Sequence, residues 1–202
     1  KIFKTPMLFR KLFSRRVWGF DSLGKVYLTF DDGPTEELTG WILSFLRSQG
    51  IKATFFCVGE NAKNHPLLMT EIINDGHVIG NHTMRHEKGV QTSKNDFIRS
   101  IDEANQFVPS TIFRPPYGRM PIRFDKDILK THKIIMWSWL SYDFDESVSV
   151  QEILKRAQKQ IKSGDIIVLH DNIKVSERLK EILPELVQII KKKGLTFEVI
   201  SS

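Results

Sequence analysis

Residues 26–34 read VYLTFDDGP. An apolar, β-rich run bounded by Gly-Pro predicts a buried strand. Asp31 and Asp32 then stand where the strand ends and the chain turns. Neighbouring strand residues point to opposite faces, and adjacent carboxylates repel one another. Keeping both at a strand exit makes sense where a cation or a proton-transfer role holds them there.

Working outward, Thr35 is placed to cap a helix with the apolar face Leu38, Trp41, Ile42, Phe45 and Leu46, and Gly50 ends it. A second strand is expected over 53–58, a helix over 66–74 with Pro66 in its first turn, and a third strand over 78–80. A helix over 93–107, a strand over 111–113, a helix over 124–131 and a strand over 134–139 follow. Ser149 and Glu152 have capping-box spacing ahead of another helix, and a strand is expected over 165–169. Leu179, Ile182, Leu183, Leu186, Ile189 and Ile190 form a helical stripe with Pro184 as a kink, and 196–200 is a last strand. About seven strands, most followed by a helix, imply an α/β fold with a parallel sheet, closed as a barrel or left open. In either form, functional groups belong at the C-terminal strand ends. Asp31–Asp32, His82 and His86, Arg114, Asp143 and His170 all fall there.

A chain of 202 residues suits one domain. No run of 18 apolar residues occurs, so no membrane-spanning helix is expected, and no apolar signal-peptide core is visible. Cys57 stands alone, which rules out an intramolecular disulfide. The net charge of +6 arises locally: Lys1, Lys4, Arg10, Lys11, Arg15 and Arg16 face no acid within residues 1–16. The neutral remainder gives no electrostatic footprint for nucleic acid. The bases interleave with Ile2, Phe3, Met7, Leu8, Phe9, Leu12, Phe13 and Trp18. The chain therefore divides into a basic, aromatic arm (1–25) and a body (26–202). An arm packed on the body is favoured; weak contact of residues 1–18 with an anionic membrane is the alternative.

Three clusters carry chemistry. His82 and His86 are four apart, so on one helical turn they share a face and suit a metal; a carboxylate nearby completes a two-His, one-carboxylate set. In Arg114-Pro115-Pro116-Tyr117-Gly118 the prolines stiffen the backbone. The Tyr117 N–H can then serve as a fixed oxyanion donor, and Arg114 can orient a carboxylate through a bidentate pair. His170 directly follows the apolar run 166–169 and is placed for acid–base work. His65, His77 and His132 are read as structural.

With these clusters assembled, the sequence resembles the polysaccharide deacetylases, carbohydrate esterase family four. The resembling stretches are TFDDGP (29–34), ATFFCVG (53–59), GHVIGNHT (76–83), NHTMRH (81–86), RPPYG (114–118) and VLHD (168–171). The resemblance implies a distorted (β/α) barrel of about seven parallel strands. Carried over by position, it makes Asp31 the general base, and Asp32, His82 and His86 the metal ligands. Arg114 becomes the orienting residue, the Tyr117 N–H part of the oxyanion hole, and His170 the general acid. It implies one divalent metal, usually zinc, with cobalt, nickel or manganese in some members. It also implies hydrolysis of N-acetyl groups on a peptidoglycan- or chitin-like glycan, and work at the cell envelope.

Residues 137–144 depart from the pattern, with Leu140 in place of a common aspartate and Phe144 in place of a common tryptophan. Asp143 remains to tune His170 or Arg114. Three rival readings stand beside this one. An O-acetyl esterase uses the same metal and water. A phosphoryl-transfer enzyme with a D-x-D-G-T strand leaves the His pair unexplained. A non-catalytic glycan binder has no need of both a base and an acid.

Overall fold

The computed structural model describes residues 1–201. The arm carries a short helix, α1 (Met7–Leu12). The body alternates strand and helix: β1 (Lys25–Asp31), α2 (Glu36–Gln49), β2 (Thr54–Cys57), α3 (Gly59–Asn64), α4 (Pro66–Asn74), β3 (Val78–Asn81), α5 (Lys94–Ala104) and β4 (Ile112–Phe113). It continues through α6 (Asp125–Ile128), β5 (Lys133–Ile134), β6 (Trp139–Leu140), α7 (Val150–Gln160), β7 (Ile166–His170), α8 (Ser176–Lys192) and β8 (Thr196–Phe197). The strands are parallel in the order β5-β4-β3-β2-β1-β7-β6, and β8 joins the start of β1. β5 and β6 do not pair, so the sheet curls into an open, distorted (β/α) barrel.

Two elements differ from the sequence expectation. A single strand over 134–139 is instead two short strands. The stretch between them divides its bonds between the sheet and the arm: Ile135 N–H donates to Phe113 O (2.8 Å) and Ser138 N–H to Ile166 O (3.1 Å), while Val17 N–H donates to Ile134 O (2.8 Å), Met136 N–H to Val17 O (2.7 Å) and Thr5 N–H to Ser138 O (3.0 Å). Local pattern cannot reveal a partner more than a hundred residues away. Helix α3 was not expected either. Its first turn is held by tertiary contact, with the Gly59 and Glu60 N–H groups donating to Thr83 O and Met84 O. Pro184 lies within a continuous α8.

Strand alternation sorts the core. On β1, Val26, Leu28 and Phe30 face the helices, where they meet Leu38, Ile42 and Leu46 of α2. Tyr27 packs inside the barrel with Phe56, Ile112, Ile135 and Ile166. Continuing that alternation, Thr29 and Asp31 point inward. The register pairs Asp31 with His170 at the C-terminal ends of β1 and β7, so two polar groups reach the barrel mouth from one face. Within the arm, Phe3 and Trp18 are buried. Arg16 forms a buried pair with Asp125, and Lys4 pairs with Asp165.

Close packing under the mouth is testable at Gly80. A Cβ there would lie 2.5 Å from the Phe56 ring, and overpacking of this kind costs about 1–3 kcal/mol. Gly80→Ala is expected to lose that much in denaturant unfolding. Gly40→Ala, in α2 with nothing within 4 Å, is expected to gain about 0.5–1 kcal/mol. A neutral Gly80→Ala would contradict the packing argument.

Candidate active site

Asp31 ends β1 pointing inward and is nearly inaccessible to solvent. Its Oδ1 accepts from Arg114 Nη1 at 2.6 Å, which leaves Oδ2 unclaimed by the guanidinium. Asp32 comes next and, on a regular strand, would face away. Its φ of +82° turns it back toward the mouth. Side chains rarely hold that conformation without support. Here Asn61 Nδ2 bonds Asp32 O at 2.8 Å, and Val58 N–H bonds Gly33 O at 3.0 Å.

His82 and His86 lie on an irregular loop after β3, which corrects the expectation of a shared helical turn. Thr83 and His86 adopt φ of +65° and +58°, and Asn81 Oδ1 accepts from Thr83 N–H at 2.9 Å to set the bend. The loop still brings the two rings together, with centroids 5.0 Å apart. His82 Nδ1 lies 2.7 Å from Arg114 O. A carbonyl accepts only, so Nδ1 carries the proton of that bond and Nε2 faces Asp32. Asp32 Oδ1 is 3.6 Å from His82 Nε2 and 3.1 Å from His86 Nε2.

One donor atom from each of Asp32, His82 and His86 fits within 4.8 Å. Two imidazoles and a carboxylate, one imidazole locked by an outer hydrogen bond, suit a divalent cation. Burial raises the Asp32 carboxyl, but its contacts with His82 and His86 and the charge of His170 outweigh that and hold it well below the usual range. The carboxylate is thus ionised and available as a ligand.

Arg114 is fully buried. It reaches Asp31 with Nη1 alone, not through the expected bidentate fork. The other bonds run from Nη1 to Thr29 Oγ1 (2.7 Å), from Nε to Ile135 O (3.2 Å) and from Nη2 to Met136 O (2.9 Å). The guanidinium lies 4.1 Å from the Phe56 ring centre. Beyond it, Tyr117 takes φ +60° and its ring lies 4.6 Å from that of His86. Gly118 follows with φ +64°, where a Cβ would strike the Trp137 ring.

His170 is oriented by Asp143. Asp143 Oδ1 is 2.7 Å from His170 Nδ1, and Oδ2 accepts from the His170 N–H at 2.7 Å. Burial disfavours the imidazolium, but Asp143, then Asp32 and Asp31, outweigh it and raise His170 to about 9. Its free Nε2 therefore carries a proton at neutral pH. Arg178, which sequence reading missed, bonds the carbonyls of Asp143, Asp145 and Val148 and fixes this loop. Also missed were Asn172, whose Nδ2 lies 3.3 Å from Asp32 Oδ2, and Asp171, which accepts from the Thr35 and Thr39 hydroxyls. Asp32, Asp143, Phe144, His170 and Asn172 line a cleft of about 240 Å³, and Phe144 meets His170 edge-on at 5.1 Å.

The polysaccharide deacetylase family model matches residues 21–134. A peptidoglycan-N-acetylglucosamine deacetylase of Bacillus cereus is 33% identical over 187 residues, which span 87% of this chain and 86% of that protein. A chitooligosaccharide deacetylase of Rhizobium leguminosarum bv. trifolii is 32% identical over 75% of each chain. Among solved structures, a peptidoglycan N-acetylglucosamine deacetylase bound to 4-naphthalen-1-yl-N-oxidanyl-benzamide superposes with TM-score 0.87 at 28% identity, covering 97% of this chain and 95% of that one. The matched segment contains Asp31, Asp32, His82, His86, Arg114 and Tyr117, and the superposition extends over nearly the whole barrel. The chain belongs to the polysaccharide deacetylase family.

Proposed function

We propose that the protein is a metal-dependent hydrolase that removes N-acetyl groups from a peptidoglycan- or chitin-like amino-sugar polymer or oligomer, releasing acetate. Residues 26–202 form its catalytic domain, and residues 1–25 are the arm packed on it. The observation that carries this reading is the pairing of opposite proton roles at one barrel mouth. A carboxylate on β1 and an imidazolium on β7 stand at paired register positions, with a cation-binding triad beside them.

Asp32, His82 and His86 would hold the cation, and zinc, cobalt, nickel or manganese suits that donor set. When bound, the cation supplies Lewis acidity toward the acetamide carbonyl and lowers the pKa of water. Asp31, held at Oδ1 by Arg114, takes the proton of the attacking water on Oδ2. The Tyr117 N–H donates to the oxygen that becomes negative as the carbonyl carbon turns tetrahedral. His170 then delivers its Nε2 proton to the leaving nitrogen as the C–N bond breaks. The products are acetate and a free amino sugar. An amine is a poor leaving group without that proton, whereas an ester oxygen leaves more readily. The protonated His170 thus favours amide over O-acetyl chemistry.

Protein stripped with a chelator is expected to release no acetate from N-acetylglucosamine oligomers or peptidoglycan. Added zinc or cobalt should restore release, and Asp31→Asn should stay inactive with metal bound. Metal-loaded protein that deacetylates only O-acetylated glycans would shift the assignment to an esterase; glycan binding without acetate release would leave a binding protein.

His170→Ala is expected to lower amide hydrolysis by about 10²–10⁴-fold and ester hydrolysis by less; equal losses would count against the acid role. Because His170 is raised to about 9, the acid is present below that pH and lost above it. Asp143→Asn removes the largest upward influence, so the alkaline limb of kcat is expected to move to lower pH. An unmoved limb would assign it to another group.

The outer face of the arm exposes Met7, Leu8 and Leu12 beside Lys11 and Arg15, which supports weak contact with an anionic membrane. Lys4 and Arg16 add little, since both are turned inward to Asp165 and Asp125. Cosedimentation with anionic vesicles that Lys11→Glu with Arg15→Glu abolishes is the expected result; equal sedimentation with neutral vesicles would refute the electrostatic part.

A further inference from the structure

The gap between β5 and β6 is filled by residues 135–138, which bond in two directions. On the outer side, Val17 N–H donates to Ile134 O and Met136 N–H donates to Val17 O. Ile135 pairs with Val17 as a parallel bridge. On the inner side, the Ile135 and Met136 carbonyls accept from Arg114 Nε and Nη2. The peptide between Ile135 and Met136, whose carbonyl accepts from Arg114 Nε, is thus held from behind by Val17 O, and the Ile135 N–H is held by Phe113 O of β4.

Arg16, the preceding residue, ties down the other half of the site. Its Nε and Nη2 fork onto Asp125 at 3.0 and 2.7 Å, and Nη2 also reaches Met120 O at 3.1 Å. Met120 lies three residues beyond Tyr117, on the segment that carries the Tyr117 N–H. Arg16 and Asp125 are both buried, so neither charge is solvated in place of this contact. Trp18 follows, buried against Phe97, Phe113 and Met136.

We infer that Arg16 and Val17 are positioning residues for the hydrolytic site. Val17 holds the peptide whose carbonyl helps aim Arg114 at Asp31, and Arg16 sets the loop that aims the Tyr117 N–H. The arm is on this account a strap that completes the catalytic geometry. A monodentate Arg114–Asp31 contact makes the strap matter: one hydrogen bond leaves the carboxylate free to rotate unless the guanidinium itself is fixed. Displacement of a catalytic group by about 1 Å can cost on the order of 10²-fold in rate.

The inference rests on the hydrolase reading, and the experiment separates the two. In the metal-loaded full chain, Val17→Pro removes the N–H that bonds Ile134 O, and Arg16→Gln removes the fork to Asp125. Each is expected to lower kcat per folded molecule about 10- to 100-fold, with KM and bound metal unchanged, because Asp32, His82 and His86 are untouched. Phe3→Ala, elsewhere on the arm against Trp139 and Tyr142, is expected to reduce thermal stability and leave kcat per folded molecule alone. Wild-type kcat in folded Val17→Pro and Arg16→Gln would overturn the strap while leaving the hydrolase reading intact. Should the wild type release no acetate, exchange of the Arg114 Nε–H, followed by 15N NMR, still decides the matter. It is expected to quicken at least tenfold in Arg16→Gln or Val17→Pro, and unchanged exchange would overturn the inference.

Discussion

A fully buried guanidinium is the constraint on which the barrel mouth depends. Arg114 has no water to solvate it, so its donors must all be answered by protein. Burial pulls it below its ordinary value, and Asp31 pulls it back up. Removing one partner of such a pair typically costs about 3–5 kcal/mol. The answering groups come from three places: Asp31 and Thr29 on β1, the Ile135 and Met136 carbonyls, and the Phe56 face on β2. The Arg114 carbonyl in turn accepts from His82. One residue thereby links the base, the triad and the gap between β5 and β6.

Strained backbone is gathered at the same place. Asp32, Thr83, His86, Tyr117 and Tyr142 are the non-glycine residues with positive φ among those described. The first four lie in the site, and the fifth immediately precedes Asp143. Such residues cost on the order of 1–3 kcal/mol each and persist only where neighbours over-determine them. Side-chain amides do much of that here. Asn61 bonds Asp32 O, and Asn81 accepts from Thr83 N–H while donating to Ile101 O. The sheet supplies regular positions for Asp31 and His170, and the strained turns supply what a regular strand cannot.

The fold was legible because strand–helix alternation is a local signal, and Asp31 and His170 stood out as candidates because each directly follows an apolar run. Geometry that depends on distant contacts was not legible. His82 and His86 share a loop bent by Asn81, yet their spacing of four suggested a helical turn. Residues 134–139 looked like one strand because the pattern cannot show that Val17 claims their outer hydrogen bonds. An arm packed on the body was the favoured reading, but its ion pairs were not legible, since Lys4 and Arg16 are paired with acids that lie more than a hundred residues along the chain.

The glycine after the two aspartates shows how motifs far apart in sequence form one physical unit. A glycine in the turn after a strand is ordinarily there for its backbone freedom. A Cβ on Gly33 would instead lie 2.2 Å from Asp171 Oδ2, so the position is small because a carboxyl from the end of β7 occupies the space. That carboxyl accepts from the Thr35 and Thr39 hydroxyls at the start of α2, and its own N–H donates to Asp31 O at 2.7 Å. Burial pushes it up to about 7 against the pull of those hydroxyls, with Asp32 adding to the rise. Thr35 therefore spends its hydroxyl on Asp171 and makes no side-chain cap on α2. The turn after β1, the start of α2 and the end of β7 are braced by one side chain. Asp31, Asp32 and His170 keep their mutual positions because the groups beneath them leave no room to move.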